Sequence, residues 1–134
     1  MELSIYQKRG PAMNIEYLDR TGYLVVRDAS SSFTVKNAQI VTEGMLLEAR
    51  NKGHNRILLD LTRWSKPKNE MVRYTIGKYL SEVIRPPLKV AVLSSPDVLN
   101  RFAETVATNR GAQLRVFSDE KLAIKWLLKS TDQR

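Results

Sequence analysis

The chain contains no cysteine, one histidine, and six glycines that stand apart from one another. Each shortage removes a class of chemistry. Without cysteine there is no disulfide framework, thiolate metal site or thiol nucleophile, which fits a reducing compartment. His54 is alone, whereas a metal centre needs several ligands and a triad needs a base with an orienting partner. In the turn Lys52-Gly53-His54-Asn55 it reads as surface decoration. Gly10, Gly22, Gly44, Gly53, Gly77 and Gly111 build neither G-x-G-x-x-G nor G-x-x-x-x-G-K, so dinucleotide and P-loop readings fail at the first step. No apolar run approaches the ~20 residues of a membrane-spanning helix. Met1 to Ala12 mixes Glu2, Lys8 and Arg9 with a short apolar patch, unlike a secretory leader. A soluble, cytoplasmic protein without cofactor or metal is expected.

The 134 residues, 43% of them hydrophobic, are enough for one domain with a sizeable core. The expected division is a tail or edge strand over 1–12, with Pro11 at the seam, a folded domain over 13–130, and a short tail over 131–134. "IEYLDRTGYLVV" has a hairpin pattern, two apolar runs around a turn closed by Gly22. A helix follows, started near Ser32 to Thr34, with Ala38, Val41, Met45 and Ala49 at helical spacing and Gly53 at its end. "RILLDLT" and "LKVAVLSS" are continuous apolar runs, as strands covered on both faces should be. "QLRVFS" is a further strand. Between and after them come helices striped by Val72, Ile76, Tyr79, Leu80 and Val83, by Val98, Leu99, Phe102, Ala103 and Val106, and by the apolar residues of "DEKLAIKWLLK". The order ββαβαβαβα predicts an α/β fold: a mixed sheet, antiparallel in its hairpin and parallel afterwards, flanked by about four helices. Leu58, Val90, Val92 and Val116 should then be almost fully buried.

Functional groups in open α/β sheets gather beyond the carboxyl ends of the strands. Asp60, Ser94, Ser95, Ser118 and Asp119 all fall there. Asp60 is a candidate base, although an aspartate there more often ties down the next loop. Ser95 and Pro96 suit a helix start, whose free N–H groups can hold an anion. Arg73 and Arg101 are candidate ligands for phosphate or carboxylate. Trp64, in the polar loop "LTRWSKPKN", either packs down as a lid or offers a surface to a ligand ring. The net charge is +8, and between Arg63 and Lys89 seven basic residues face only Glu70 and Glu82. That segment predicts one exposed basic surface of Arg63, Lys66, Lys68 and Arg73 beside Trp64, suited to phosphates, anionic lipid or acidic protein.

The element order, with "ILLDLT", "LKVAVLSS", "MVRYTIGKYL" and above all "NRGAQLRVFSDEKLAIKWLL", resembles the small bacterial STAS-like proteins with the SpoIIAA-like fold of the sporulation anti-sigma-factor antagonists. The resemblance covers roughly 14–129. It implies a four- or five-stranded mixed sheet with about four helices. Those antagonists carry Asp-Ser-Ser-Gly, with a phosphorylatable serine, at a helix start. Here the stretch is Pro67-Lys68-Asn69-Glu70, with Ser65 nearby but out of place, so the phosphoserine switch does not carry over.

The leading expectation is a non-enzymatic binding or regulatory module for a protein partner or a small anionic or lipid-like ligand. Its ligand-binding candidates are Asp60, Trp64, Arg73, Ser94, Ser95 and Arg101, and no catalytic residue is assigned. An enzyme acting on a phosphorylated or acidic substrate is the second reading. Nucleic acid is the least supported partner, since no aromatic-studded strand motif accompanies the basic charge. Peripheral membrane contact and a homodimer stay open.

Overall fold

The computed structural model describes residues 5–10, 13–29, 32–95, 98 and 101–129. Among them, six strands form one sheet in chain order: β1 (Ile5–Gly10), β2 (Met13–Arg20), β3 (Tyr23–Asp28), β4 (Arg56–Asp60), β5 (Lys89–Leu93) and β6 (Leu114–Phe117). The first three make an antiparallel meander, and β3 to β6 run parallel. The β2–β3 turn is tight because Gly22 takes φ 89°, which costs a glycine little. The sheet has one strand more than the STAS-like resemblance implies, since 5–10 pair with β2 as an edge strand. In other respects this is the mixed α/β architecture the resemblance implies.

Four helices cover the sheet: α1 (Val35–Lys52), α2 (Glu70–Val83), α3 (Arg101–Thr108) and α4 (Glu120–Leu128). Each of the first three joins a strand to its immediate parallel neighbour, always stepping the same way. Right-handed crossovers that all step one way lie on one face. That face holds the larger core, in which Val41 and Met45 of α1 and Ile76 and Leu80 of α2 meet Val26, Ile57, Leu59, Val90 and Val92 of the strands. Helix α4 follows the last strand and folds back on the other face, where Ala123 and Leu127 cover Leu58, Ala91 and Leu93. The period-2 alternation of strand side chains thus divides β4 cleanly, Ile57 and Leu59 one way, Leu58 and Asp60 the other.

Leu58, Val90 and Val92 are fully buried, as expected of central strands. Val116 is only partly buried, because β6 is the edge of the sheet. The helix ends also follow the residue chemistry. Thr34, Asn69 and Asp119 each accept a hydrogen bond from an amide three residues on, and Gly53 closes α1 in the left-handed conformation. The α2 stripe is wider than its periodicity suggests. Arg73, Gly77 and Ser81 are buried alongside Ile76 and Leu80, while Val72, Tyr79 and Val83 are only partly covered. Helices α2 and α3 are the most closely associated helix pair among the described residues.

Candidate functional site

The carboxyl ends of β3 and β4 bring together two aspartates. Asp28 ends β3 and is wholly buried, and its Oδ2 accepts a 2.9 Å hydrogen bond from the Trp64 indole N–H. Asp60 ends β4 and faces the other way, into a charged row across the sheet. Register aligns Glu16 with Arg27 and Arg27 with Asp60. The Arg27 Nε donates to Asp60 Oδ2 at 3.0 Å, and its Nη1 lies 3.5 Å from Glu16 Oε1. The other Asp60 oxygen accepts from the Thr62 amide at 3.0 Å and the Thr62 hydroxyl at 2.6 Å.

Burial alone pushes the Asp60 carboxyl up, but the Thr62 hydroxyl and amide and the Arg27 guanidinium together hold it below the usual carboxylate range. A general base works best with a pKa near the operating pH. Asp60 is displaced the other way, and both its oxygens are occupied. It ties down the loop, as an aspartate at a strand end commonly does. Its contribution to stability is complete above the unfolded value of about 4 and is lost as pH falls through the lower folded value. Asp60→Asn is expected to lower stability by about 1–3 kcal/mol at neutral pH and to flatten the acid limb of a pH series of urea melts. An acid limb identical to that of the parent would assign the acid sensitivity elsewhere.

Trp64 is the lid of the two alternatives, not an open stacking surface. It is 3% exposed, and its ring meets Phe33 edge-to-face at 5.2 Å. Pro67, three residues on, is buried too, whereas Arg63, Ser65, Lys66, Lys68 and Asn69 are exposed. The loop from β4 to α2 is therefore pinned at Trp64 and Pro67 and displays three cations. Among the described residues no ion pair or hydrogen bond engages those three side chains. Asn69 caps α2 by accepting from the Val72 amide at 3.2 Å. Beyond the cap, Met71 is 67% exposed and Tyr74 37%. Sequence reasoning missed these two. Their signal was the i, i+3 spacing, which puts Met71 opposite the buried stripe and Tyr74 at its margin.

Arg73 does not belong to the exposed basic surface expected of it. It is buried, its Nε donates to the Val98 carbonyl at 3.1 Å, and its guanidinium pairs with Glu70. It joins α2 to the segment ahead of α3. Lys89, at the start of β5, is buried at the opposite end of the sheet from the loop. Ser94 is buried at the end of β5 with its hydroxyl donating to the Ser95 carbonyl at 2.8 Å; Ser95 is exposed and its carbonyl accepts from the Val98 amide. Pro96, Asp97 and the side chain of Arg101 lie outside the described residues. Ser118 and Asp119 start α4, with Asp119 as the cap. His54 is more than decoration. Its Nε2 lies 2.6 Å from Asp19 Oδ1, joining the α1–β4 turn to the hairpin.

A cavity of about 10 Å³ lies beside Trp64, lined by apolar side chains that include Phe33, Leu59, Leu61 and Leu80. It is far below the ~300 Å³ at which small-molecule sites begin. Among the described residues no group of three or more His, Asp or Glu is placed to hold a metal, and no helix is long and apolar enough to cross a membrane.

No known family model matches the chain, and no curated protein does. Among solved structures it is similar to an uncharacterized protein of the DUF3478 family with a SpoIIAA-like fold from Shewanella loihica. The identity is 19%, over 92% of this chain and 91% of that one, with a TM-score of 0.45.

Proposed function

We propose that the protein is a non-enzymatic binding module that meets an anionic lipid surface with the β4–α2 loop and the outer face of α2, with no phosphoserine switch. The observation that carries this is the pinned loop. Trp64 and Pro67 fix its backbone, so Arg63, Lys66 and Lys68 are presented together with little ordering left to do on contact. Beside them stand an exposed methionine and a half-exposed tyrosine. Cations next to an apolar side chain and an amphipathic ring suit the boundary between headgroups and acyl chains. A protein interface is the poorer match, because such interfaces are depleted in lysine and this patch carries Lys66, Lys68 and Lys78.

The test is sedimentation of the full chain with phosphatidylcholine vesicles, with and without phosphatidylserine, at low and high salt. Binding is expected only to the anionic vesicles and to weaken with salt. Each basic residue near such a surface contributes about 1 kcal/mol. Arg63→Gln with Lys66→Gln and Lys68→Gln should therefore reduce partitioning about a hundredfold, and Met71→Asp should reduce it further. Absence of binding to anionic vesicles, or equal binding by the triple variant, would overturn the proposal.

A further inference from the structure

Lys89 is the most buried lysine among the described residues, with 5% of its surface exposed. Its Nζ donates to the carbonyls of Trp126 at 2.8 Å and Lys129 at 3.1 Å, the last turn of α4, and sits 4.5 Å from the centre of the Trp126 ring. An ammonium has three donors, so one is left without a protein acceptor among the described residues. No carboxylate pairs with it there. Its charged neighbours are cations. Burial first, then repulsion from Arg56 and Lys129, pushes the ammonium below its ordinary lysine value. A buried cation among cations lacks the counter-charge that such groups normally have.

Space for that counter-charge lies beside it. A groove of about 390 Å³ runs along the β6 edge between the ends of α3 and α4, lined by Lys89, Thr108, Gln113, Arg115, Trp126 and Lys129 among others. This is within the ~300–1,000 Å³ of ligand sites. Three of its lining residues are basic and none is acidic. Glu104, the acid that α3 brings to this edge, is already committed, with its Oε2 accepting from the Val116 amide at 2.8 Å.

We propose that this groove binds a small organic anion with about two negative charges and a flat ring. Lys89 offers its remaining donor from within. Arg115 and Lys129, both exposed, hold the charge at the rim, and the half-buried Trp126 ring gives the flat group a surface to lie on. None of the loop or α2 residues of the lipid-facing surface lines the groove, so the two sites can be tested apart.

Phenyl phosphate, cyclohexyl phosphate and inorganic phosphate carry similar charge and differ in the ring. Phenyl phosphate is expected to bind the full chain in calorimetry, to raise its melting temperature, and to change tryptophan fluorescence in a way that Trp126→Phe removes. The other two should bind about three- to tenfold more weakly, the worth of an aromatic contact. Arg115→Glu with Lys129→Glu should abolish binding. Both residues are exposed, and Lys129 meets Lys89 through its backbone carbonyl, so this variant keeps the Lys89 contacts and gives up only the Arg115 guanidinium's place 5.5 Å from the Phe117 ring. The Arg63, Lys66 and Lys68 triple variant should bind phenyl phosphate like the parent. No binding of phenyl phosphate, binding that survives the double reversal, or equal binding of all three phosphates would each overturn the assignment.

Discussion

Gly44→Ala is expected to destabilise the protein, although alanine is the better helix former. Gly44 lies in the middle of α1, where replacing glycine by alanine ordinarily gains about 1 kcal/mol. Here a Cβ would sit 2.2 Å from the Tyr17 hydroxyl oxygen, far inside van der Waals contact. Tyr17 is a buried residue of β2, with its ring wedged between sheet and helix. A rigid ring in a dense core cannot retract, so α1 must move off the sheet, and overpacking of this kind costs about 1–3 kcal/mol, occasionally more. The same geometry names the rescue. The next atom a Cβ would meet is the ring carbon Cζ at 3.5 Å, an ordinary contact. Removing only the oxygen, by Tyr17→Phe, should make Gly44→Ala neutral or stabilising in that background. Urea melts of the four proteins give the coupling directly. A parent-like Gly44→Ala, or one that Tyr17→Phe leaves as destabilised as before, would show that the helix approaches the sheet differently.

The elements that could be read from the chain are those whose cause is local. "RILLDL" and "LKVAVL" are apolar on both sides because both faces of the sheet are covered, and their burial in β4 and β5 follows. Thr34, Gly53 and Asp119 act on amides or carbonyls a few residues away, so the helix ends are legible too. The seven-cation segment was misleading for the opposite reason. A run of like charge in one dimension is divided by the fold, which turns Arg63, Lys66 and Lys68 outward, buries Arg73 against a carbonyl 25 residues later, and carries Lys89 to the far end of the sheet. Arg27 and Asp28 are not legible in the sequence, because strand register brings Arg27 its carboxylates from β2 and β4, and the folded-down loop after β4 brings Trp64 to Asp28. Both end an apolar run as Asp60 does, and that shared position was the available signal.

Trp64→Ala is the substitution expected to cost most. In sequence Trp64 could have been an exposed platform, whose loss would change stability by no more than about 0.5 kcal/mol. In the fold it closes the core over Phe33 and gives its N–H to a wholly buried Asp28. Truncation removes a large buried ring, worth about 3–5 kcal/mol, enlarges the small cavity that Trp64 already lines, and takes a donor from the buried carboxylate. For a domain whose total stability is typically about 5–15 kcal/mol, that is a large fraction. Trp64→Phe separates the two contributions. It keeps most of the ring packing and forfeits only the hydrogen bond to Asp28, so its loss should be nearer the ~1–3 kcal/mol of taking one partner from a buried polar group. Vesicle binding should depend on the peg as well as on the charge. Under conditions where Trp64→Ala is still folded, Arg63, Lys66 and Lys68 are all present, yet the loop that presents them has lost one of its two fixed points, and vesicle binding should weaken without any change in net charge. Urea melts of both variants, with vesicle sedimentation below the unfolding transition, test the chain of cause. A Trp64→Ala protein within about 1 kcal/mol of the parent would mean that the ring is not holding the loop. Unchanged vesicle binding by the folded variant would mean that the pinned backbone is not what presents the cations.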